Sequence, residues 1–136
     1  MLVVLFEINL KKYGIKSKSV SEIVSFSRVD QFQKQMDSKT PIMGTLIHKE
    51  QRVPVIDLTK IISSKNSAEA FGSLAIIVEF QSKYYGLIAE NVTRIAEVPN
   101  EFIHEFKKSK EPIIYMHDHP IRIIDYEKWL PDVNFD

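Results

Sequence analysis

Two apolar runs, Ile42–Ile47 and Val53–Leu58, flank the polar stretch His48-Lys49-Glu50-Gln51-Arg52. Runs of that length, rich in Ile and Val and broken by a polar tip, predict a β-hairpin. The second run is apolar on consecutive residues, the pattern of a strand covered on both faces. Pro54 has no N–H to give a ladder, so its strand is expected at an edge or with a bulge there. Asp57 is placed to N-cap a short helical pattern over Leu58–Ile62. Earlier in the chain, Leu2–Asn9 and Tyr13–Val20 predict strands around a turn at Lys11-Lys12, and Glu22–Arg28 predicts a third strand. Val29, Phe32 and Met36 are spaced for one apolar helical stripe, which predicts a short, solvent-facing helix.

Ser63–Ser67 is polar throughout and predicts a connector. Beyond it the pattern starts again. Val3–Ile23 aligns without a gap on Ala75–Ile95, so that Glu7 matches Glu79, Lys11 matches Lys83, Tyr13-Gly14 matches Tyr85-Gly86 and Ile23 matches Ile95. The hairpin has an echo in Ile113–Met116, the tip His117-Asp118-His119, and Pro120–Ile124. Asp125 then stands as Asp57 does, before the helical pattern Tyr126–Leu130. A period of roughly 70 residues is a duplication on the scale of a domain. Halves of about 2–62 and 74–130, joined by a connector over 63–73, are expected within one domain spanning 1–136. Five short strands and a capping turn per half predict a mostly β fold of two similar five-stranded barrels with short helices. The strand faces place Val4, Phe6, Ile15, Val55, Ile77, Leu87 and Ile123 in the core.

The apolar content of 44% suffices for a core and is too high for disorder. Eighteen Lys and Arg residues balance eighteen Asp and Glu residues, leaving no overall pull toward nucleic acid or anionic membrane. With no cysteine there are no disulfides, thiolate nucleophiles or thiolate metal sites, which fits a reducing compartment. The apolar start Met1–Phe6 is too short for a signal peptide or a membrane span, so a cytoplasmic protein is expected.

Little in the sequence carries catalysis or cofactor chemistry. Four scattered glycines make no phosphate-cradling loop, and no serine sits in a nucleophile elbow. His117 and His119 point the same way on an extended chain and are the candidate metal pair, with His48 a conceivable third ligand. The plainer reading is a polar hairpin tip before Pro120. Tyr13, Tyr84 and Tyr85 beside lysines suggest a base-stacking platform, but even charge favours ordinary amphipathic strand residues. Glu105–Lys110 reads as a solvated charge run. No metal, cofactor or catalytic residue is expected. Surfaces for other proteins remain, since small barrels offer grooves and edge strands that recruit other chains.

Gly44 with Val53-Pro54-Val55-Ile56-Asp57-Leu58 resembles the signature of the CheW-like domain family, the coupling modules of bacterial chemotaxis. Tyr13-Gly14, Val20 and Glu22-Ile23 fit the same family. So do Gly86-Leu87-Ile88, Val92 and Ile95, and the resemblance runs from Leu2 to about Trp129. It implies two intertwined SH3-like barrels around a shared core and a non-enzymatic adaptor. The implied partners are the CheW-like regulatory domain of a CheA-type histidine kinase and the helical tip of a chemoreceptor. Glu22, Ile23, Lys49 and Glu50 are the implied partner-binding positions. One departure falls on them: where the family has Asn-Leu-Arg-Gly, this chain has Ile47-His48-Lys49-Glu50. Lys49 keeps the charge without the planar fork of arginine. Glu50 puts a Cβ where glycine would tolerate positive φ, and a changed turn shape is expected. The alternatives are an adaptor for another motility or two-component system and, from another class, a small metal-dependent enzyme using His117 and His119.

Overall fold

In a computed structural model, described over residues 1–25, 32–34, 42–58, 74–99, 113–116, 119–128 and 130, the chain forms eleven strands in two sheets. They are β1 (Leu2–Ile8), β2 (Lys11–Lys16), β3 (Val20–Ser25), β4 (Phe32–Lys34), β5 (Ile42–His48), β6 (Gln51–Ile56), β7 (Leu74–Phe80), β8 (Lys83–Ala89), β9 (Asn91–Glu97), β10 (Ile113–Met116) and β11 (His119–Ile123). One sheet has the order β10-β11-β2-β1-β9, the other β3-β7-β8-β6-β5-β4. Each sheet draws strands from early and late in the chain. The mostly β fold is as expected, but the two intertwined five-stranded barrels appear as two sheets, each mixing strands from both halves and neither closed by backbone pairing among the described residues. The physical reason is that β11 pairs in parallel with β2, and β6 with β8, so hairpins distant in sequence share a ladder.

Three hairpins turn on two residues, each with positive φ at both: Asn9 (50°) and Leu10 (66°), Lys49 (49°) and Glu50 (64°), Gln81 (51°) and Ser82 (65°). Left-handed pairs of this kind match the natural twist of the flanking strands. The first turn therefore lies at Asn9-Leu10, two residues before the expected Lys11-Lys12. Those lysines are instead cross-strand partners of Ile8 and Glu7. The central tip is likewise tighter than its polar stretch suggests, because His48 and Gln51 pair with each other and leave only Lys49-Glu50 to turn. Glu50 takes up the left-handed geometry despite its Cβ.

Other boundaries also move. Ser17–Ser19 forms a 3-10 turn, so the predicted Tyr13–Val20 strand ends at Lys16 and Val20 opens β3. Phe32 lies in a strand paired with Leu46 and not in a helix, because ladder partners on β5 outweigh a sparse helical stripe; Val29 and Met36 fall outside the described residues. The strand carrying Pro54 is interior, between β8 and β5. Proline is tolerated there because the pairing with β8 covers only Val55 and Ile56, one residue beyond it. Leu58 is helical after Asp57, whereas 59–62 and the connector 63–73 lie outside the described residues, as do His104, the run 105–110, His117, Asp118 and Trp129.

All seven predicted core residues are buried. Most lie in one cluster between the sheets, where Phe6 stacks on Tyr13 with centroids 5.7 Å apart. β1 divides its burial between two places: Val4, Phe6 and Ile8 face this cluster, while Val3 and Leu5 face a smaller one with Ala96, Val98, Ile121 and Ile123. That division follows from side chains alternating across a strand with both faces covered. A 3-10 turn at Tyr126–Lys128 follows β11. The Tyr126 hydroxyl donates to the Glu79 carbonyl at 3.1 Å, and its ring meets Phe80 edge-on.

Candidate functional site

The six-stranded sheet ends in an edge strand, β3, whose outer side has no strand neighbour among the described residues. Glu22 and Ile23 lie on it, Ile23 opposite Ile76 of β7 and exposed. Four strands away in the order, β5 ends at His48. Even so, His48 Nδ1 stands 3.3 Å from Glu22 Oε2. A flat sheet would hold these residues far apart, with strands spaced about 4.8 Å. The sheet therefore curls enough for its β3 edge to meet the β5–β6 tip, side chain to side chain.

Around this contact the groups are close-set. The His48 side chain is 5% exposed and that of Glu22 55%. The ring of Tyr84, on β8, meets the imidazole edge-on with centroids 5.1 Å apart. The Lys49 ammonium lies 5.4 Å from the centre of the Tyr84 ring and 3.4 Å from its hydroxyl oxygen. Cation–ring contacts at exposed sites contribute about 0.5–1 kcal/mol. His48 Nε2 is buried without a hydrogen-bond partner among the described residues. Neighbouring residues on a strand point to opposite faces. Ile23 and Ile47, one position along from Glu22 and His48, thus turn outward and remain 39% and 60% exposed.

The rim thus joins three of the four positions implied by the resemblance: Glu22, Ile23 and Lys49. Glu50 is exposed beside them at the second position of the turn. His48 and Tyr84 are the residues that sequence reasoning missed in this role. The signal was present in part, since a histidine interrupting the polar tip next to an apolar run invites a burial test. Of the suggested aromatic platform, Tyr13 and Tyr85 are buried, and Tyr84 is engaged as above. His119 begins β11, and among the described residues no three His, Asp or Glu side chains gather for a metal.

A second polar group brings Tyr13 and Arg122 under the electrostatic influence of one another and of Asp57. Arg122 is opposite Tyr13 in the parallel pairing of β11 with β2, and Asp57 at the end of β6 is fully buried. Burial pushes the Tyr13 phenol above its ordinary pKa, with Arg122 pulling it back and Asp57 adding to the rise. Burial lowers the pKa of Arg122, which the facing Tyr13 partly offsets. The Tyr126 phenol is also raised, first by burial.

Fold and rim together define a mostly β, two-sheet protein whose distinctive surface chemistry suits protein contacts. The model of the CheW-like domain matches residues 2–133, and the chain belongs to that family. It is a non-enzymatic, CheW-like adaptor of chemotaxis-type signalling. Among solved structures it is similar to the scaffolding protein TtCheW from Thermoanaerobacter tengcongensis. That match has 23% identity and a TM-score of 0.71, and covers 91% of this chain and 83% of the other. Among curated proteins none matches the sequence. No helix among the described residues is long and apolar enough to cross a membrane.

Proposed function

We propose that this adaptor couples a chemoreceptor to a CheA-type histidine kinase by binding the CheW-like regulatory domain of the kinase and the helical cytoplasmic tip of the receptor. Glu22, Ile23, Lys49 and Glu50 are the partner-binding residues in this reading. The observation that carries it is the meeting of the β3 edge with the β5–β6 tip, which gathers an exposed isoleucine and opposite charges at one rim. An apolar anchor ringed by charges is the usual composition of a protein-binding patch. The protein works in the cytoplasm, recruited to receptor arrays at the membrane.

Its architecture supports the same reading. The domain consists of two pseudo-repeat halves, about 2–62 and 74–130, linked over 63–73. Strands exchanged between the halves give two intertwined, barrel-like units. In support, β1 pairs with β2 and β7 with β8 in one register: Phe6 is opposite Tyr13 and Val78 opposite Tyr85.

A titration of the full chain against the regulatory domain of a CheA-type kinase tests the proposal. Saturable binding, weakened by Ile23→Asp, is expected; no binding in either protein would overturn it. The lysine–glutamate tip favours a second reading, in which the adaptor serves another motility or two-component system. A Lys49→Arg, Glu50→Gly variant restores the guanidinium fork and a permissive turn residue. A lost bidentate contact is worth on the order of 1–3 kcal/mol, so the variant should bind a standard kinase–receptor assembly about fivefold to a hundredfold more tightly. Equal affinities would remove the support for altered partners.

A further inference from the structure

We infer that Ile47 and Arg52, side by side on the outward face of the β5–β6 hairpin, seat a helix that carries an apolar side chain with a carboxylate one turn away. The inference rests on the adaptor reading above and deepens it: this face goes to the helical tip of the receptor, and the β3 edge is left to the kinase domain. Ile47 is 60% exposed although it lies within a strand. Single exposed apolar residues are common on protein surfaces, so exposure alone assigns nothing. Its setting does. Ile47 is directly opposite Arg52, and Thr45 directly opposite Pro54, so these four share one face of the hairpin. Leu46, His48, Val53 and Val55 point the other way and are buried. The register thus holds Ile47 outward, since turning it in would slip the whole strand. Ile47 also stands where the CheW-like signature has asparagine, so this chain adds apolar surface at its tip.

Charge and spacing choose the occupant. Among its four residues the face has one cation, the exposed Arg52, and no carboxylate. A guanidinium matches a carboxylate in a planar, two-point contact, so the partner is acidic where it meets Arg52. Residues directly opposite on antiparallel strands have Cβ atoms about 4.5–5.5 Å apart. Helix residues three or four apart have Cβ atoms at about 5–6 Å, nearly the same spacing. On a strand, successive residues of one face lie about 6.5–7 Å apart, a poorer match. An apolar residue and a Glu or Asp one helical turn along therefore meet Ile47 and Arg52 together. Thr45 and Pro54, half-buried, continue the face behind them. Glu22 and His48 take no part, because their side chains are engaged with each other on the inner side of the curl.

The test titrates the full chain, Ile47→Thr, Ile47→Leu and Arg52→Gln against two separate probes. One is a soluble coiled-coil fragment of a chemoreceptor cytoplasmic tip, the other the regulatory domain of a CheA-type kinase. Threonine keeps the β-branch that suits a strand and loses the apolar bulk; leucine keeps the bulk. Ile47→Thr and Arg52→Gln are expected to weaken the receptor fragment about fivefold to thirtyfold each, and Ile47→Leu by no more than about threefold. All three should bind the kinase domain within about twofold of the natural protein, with melting curves as the folding control. Receptor binding should also weaken between about 0.05 and 0.5 M salt, less steeply in Arg52→Gln and unchanged in slope in Ile47→Thr. Purely structural damage would move both probes together and leave the salt slopes alike. Receptor binding that ignores Ile47→Thr and Arg52→Gln, or equal losses with both probes, would overturn the inference while the adaptor reading stands. Receptor binding that depends on both residues, with no kinase binding, would overturn the coupling role and keep the helix seat. A receptor fragment that does not bind the natural protein would overturn the helix seat, and if the kinase domain also fails to bind, the adaptor reading falls with it.

Discussion

Gly14 and Gly86 occupy matched places in matched hairpins, yet their surroundings differ. A Cβ at Gly14 would lie 2.6 Å from Val3 Cγ1 and 2.9 Å from Ile123 Cδ1. At Gly86 the nearest atoms would be Val55 Cγ2 at 3.4 Å and the side chains of Ala75 and Ile77 at 3.5 Å, ordinary contact. Neither glycine has positive φ, so backbone freedom does not explain them. The difference is one of packing. Where β2 carries Gly14, the neighbours are the larger Val3 and Ile123; where β8 carries Gly86, Ala75 stands in the place of Val3. The sheets also bury their faces differently. In β1, alternate residues go to two separate clusters, whereas Ala75, Ile76, Ile77 and Val78 of β7 all join the large one. Similar strand pairing thus supports two environments, and a shared motif does not imply a shared tolerance.

Core truncation gives the largest test of that contrast. Phe6→Ala removes a fully buried ring stacked on Tyr13 and should cost about 3–5 kcal/mol, whereas Val78→Ala at the matching position should cost about 2 kcal/mol. Urea denaturation measures both, and equal losses would show that the two sheets pack more alike than their side chains indicate.

The glycines come next, and there the signs should differ. Gly14→Ala must displace Val3, a β-branched and fully buried side chain, at a cost of about 1–3 kcal/mol. Gly86→Ala should be neutral or stabilise by about 0.4–1 kcal/mol, since it restricts the unfolded chain without a clash. Parallel thermal melts would break the comparison if the two shifts agreed in sign.

A smaller effect should appear in alkali. Because the Tyr13 phenol is raised, mainly by burial, the unfolded chain releases its proton first as pH climbs past about 10. The folded state then binds more protons than the unfolded one, so stability falls with rising pH. The contribution is fully present below pH 10 and is lost as pH rises through the folded value. Tyr126 adds a term of the same sign. Urea midpoints between pH 9 and 11 should decline, and less steeply in Tyr13→Phe; parallel slopes would place the effect elsewhere.

The smallest test compares the three tight turns, whose φ values nearly coincide. Leu10→Gly, Glu50→Gly and Ser82→Gly each relieve left-handed strain of about 1 kcal/mol and lose part of that gain to the freer unfolded chain. Net gains below about 1 kcal/mol, similar across the three, are expected in differential scanning calorimetry. A gain confined to Leu10 would point to its exposed side chain instead of the turn.

The sequence by itself determined most of the strands, most of the hairpins, and the seven core residues, because alternation and apolar run length report local burial directly. It also carried the family resemblance, since Val53–Leu58 and Tyr13-Gly14 are contiguous signals. Tertiary structure alone decided the rest. Which strands share a ladder depends on contacts far apart in the chain, so the exchange of β3 and β9 between sheets and the interior place of Pro54 were not legible. Phe32 followed its neighbour β5 over its own weak helical spacing. The tip shortened because His48 and Gln51 pair across it, and the carboxylate and aromatic ring that His48 meets come from two other strands, which no local pattern records.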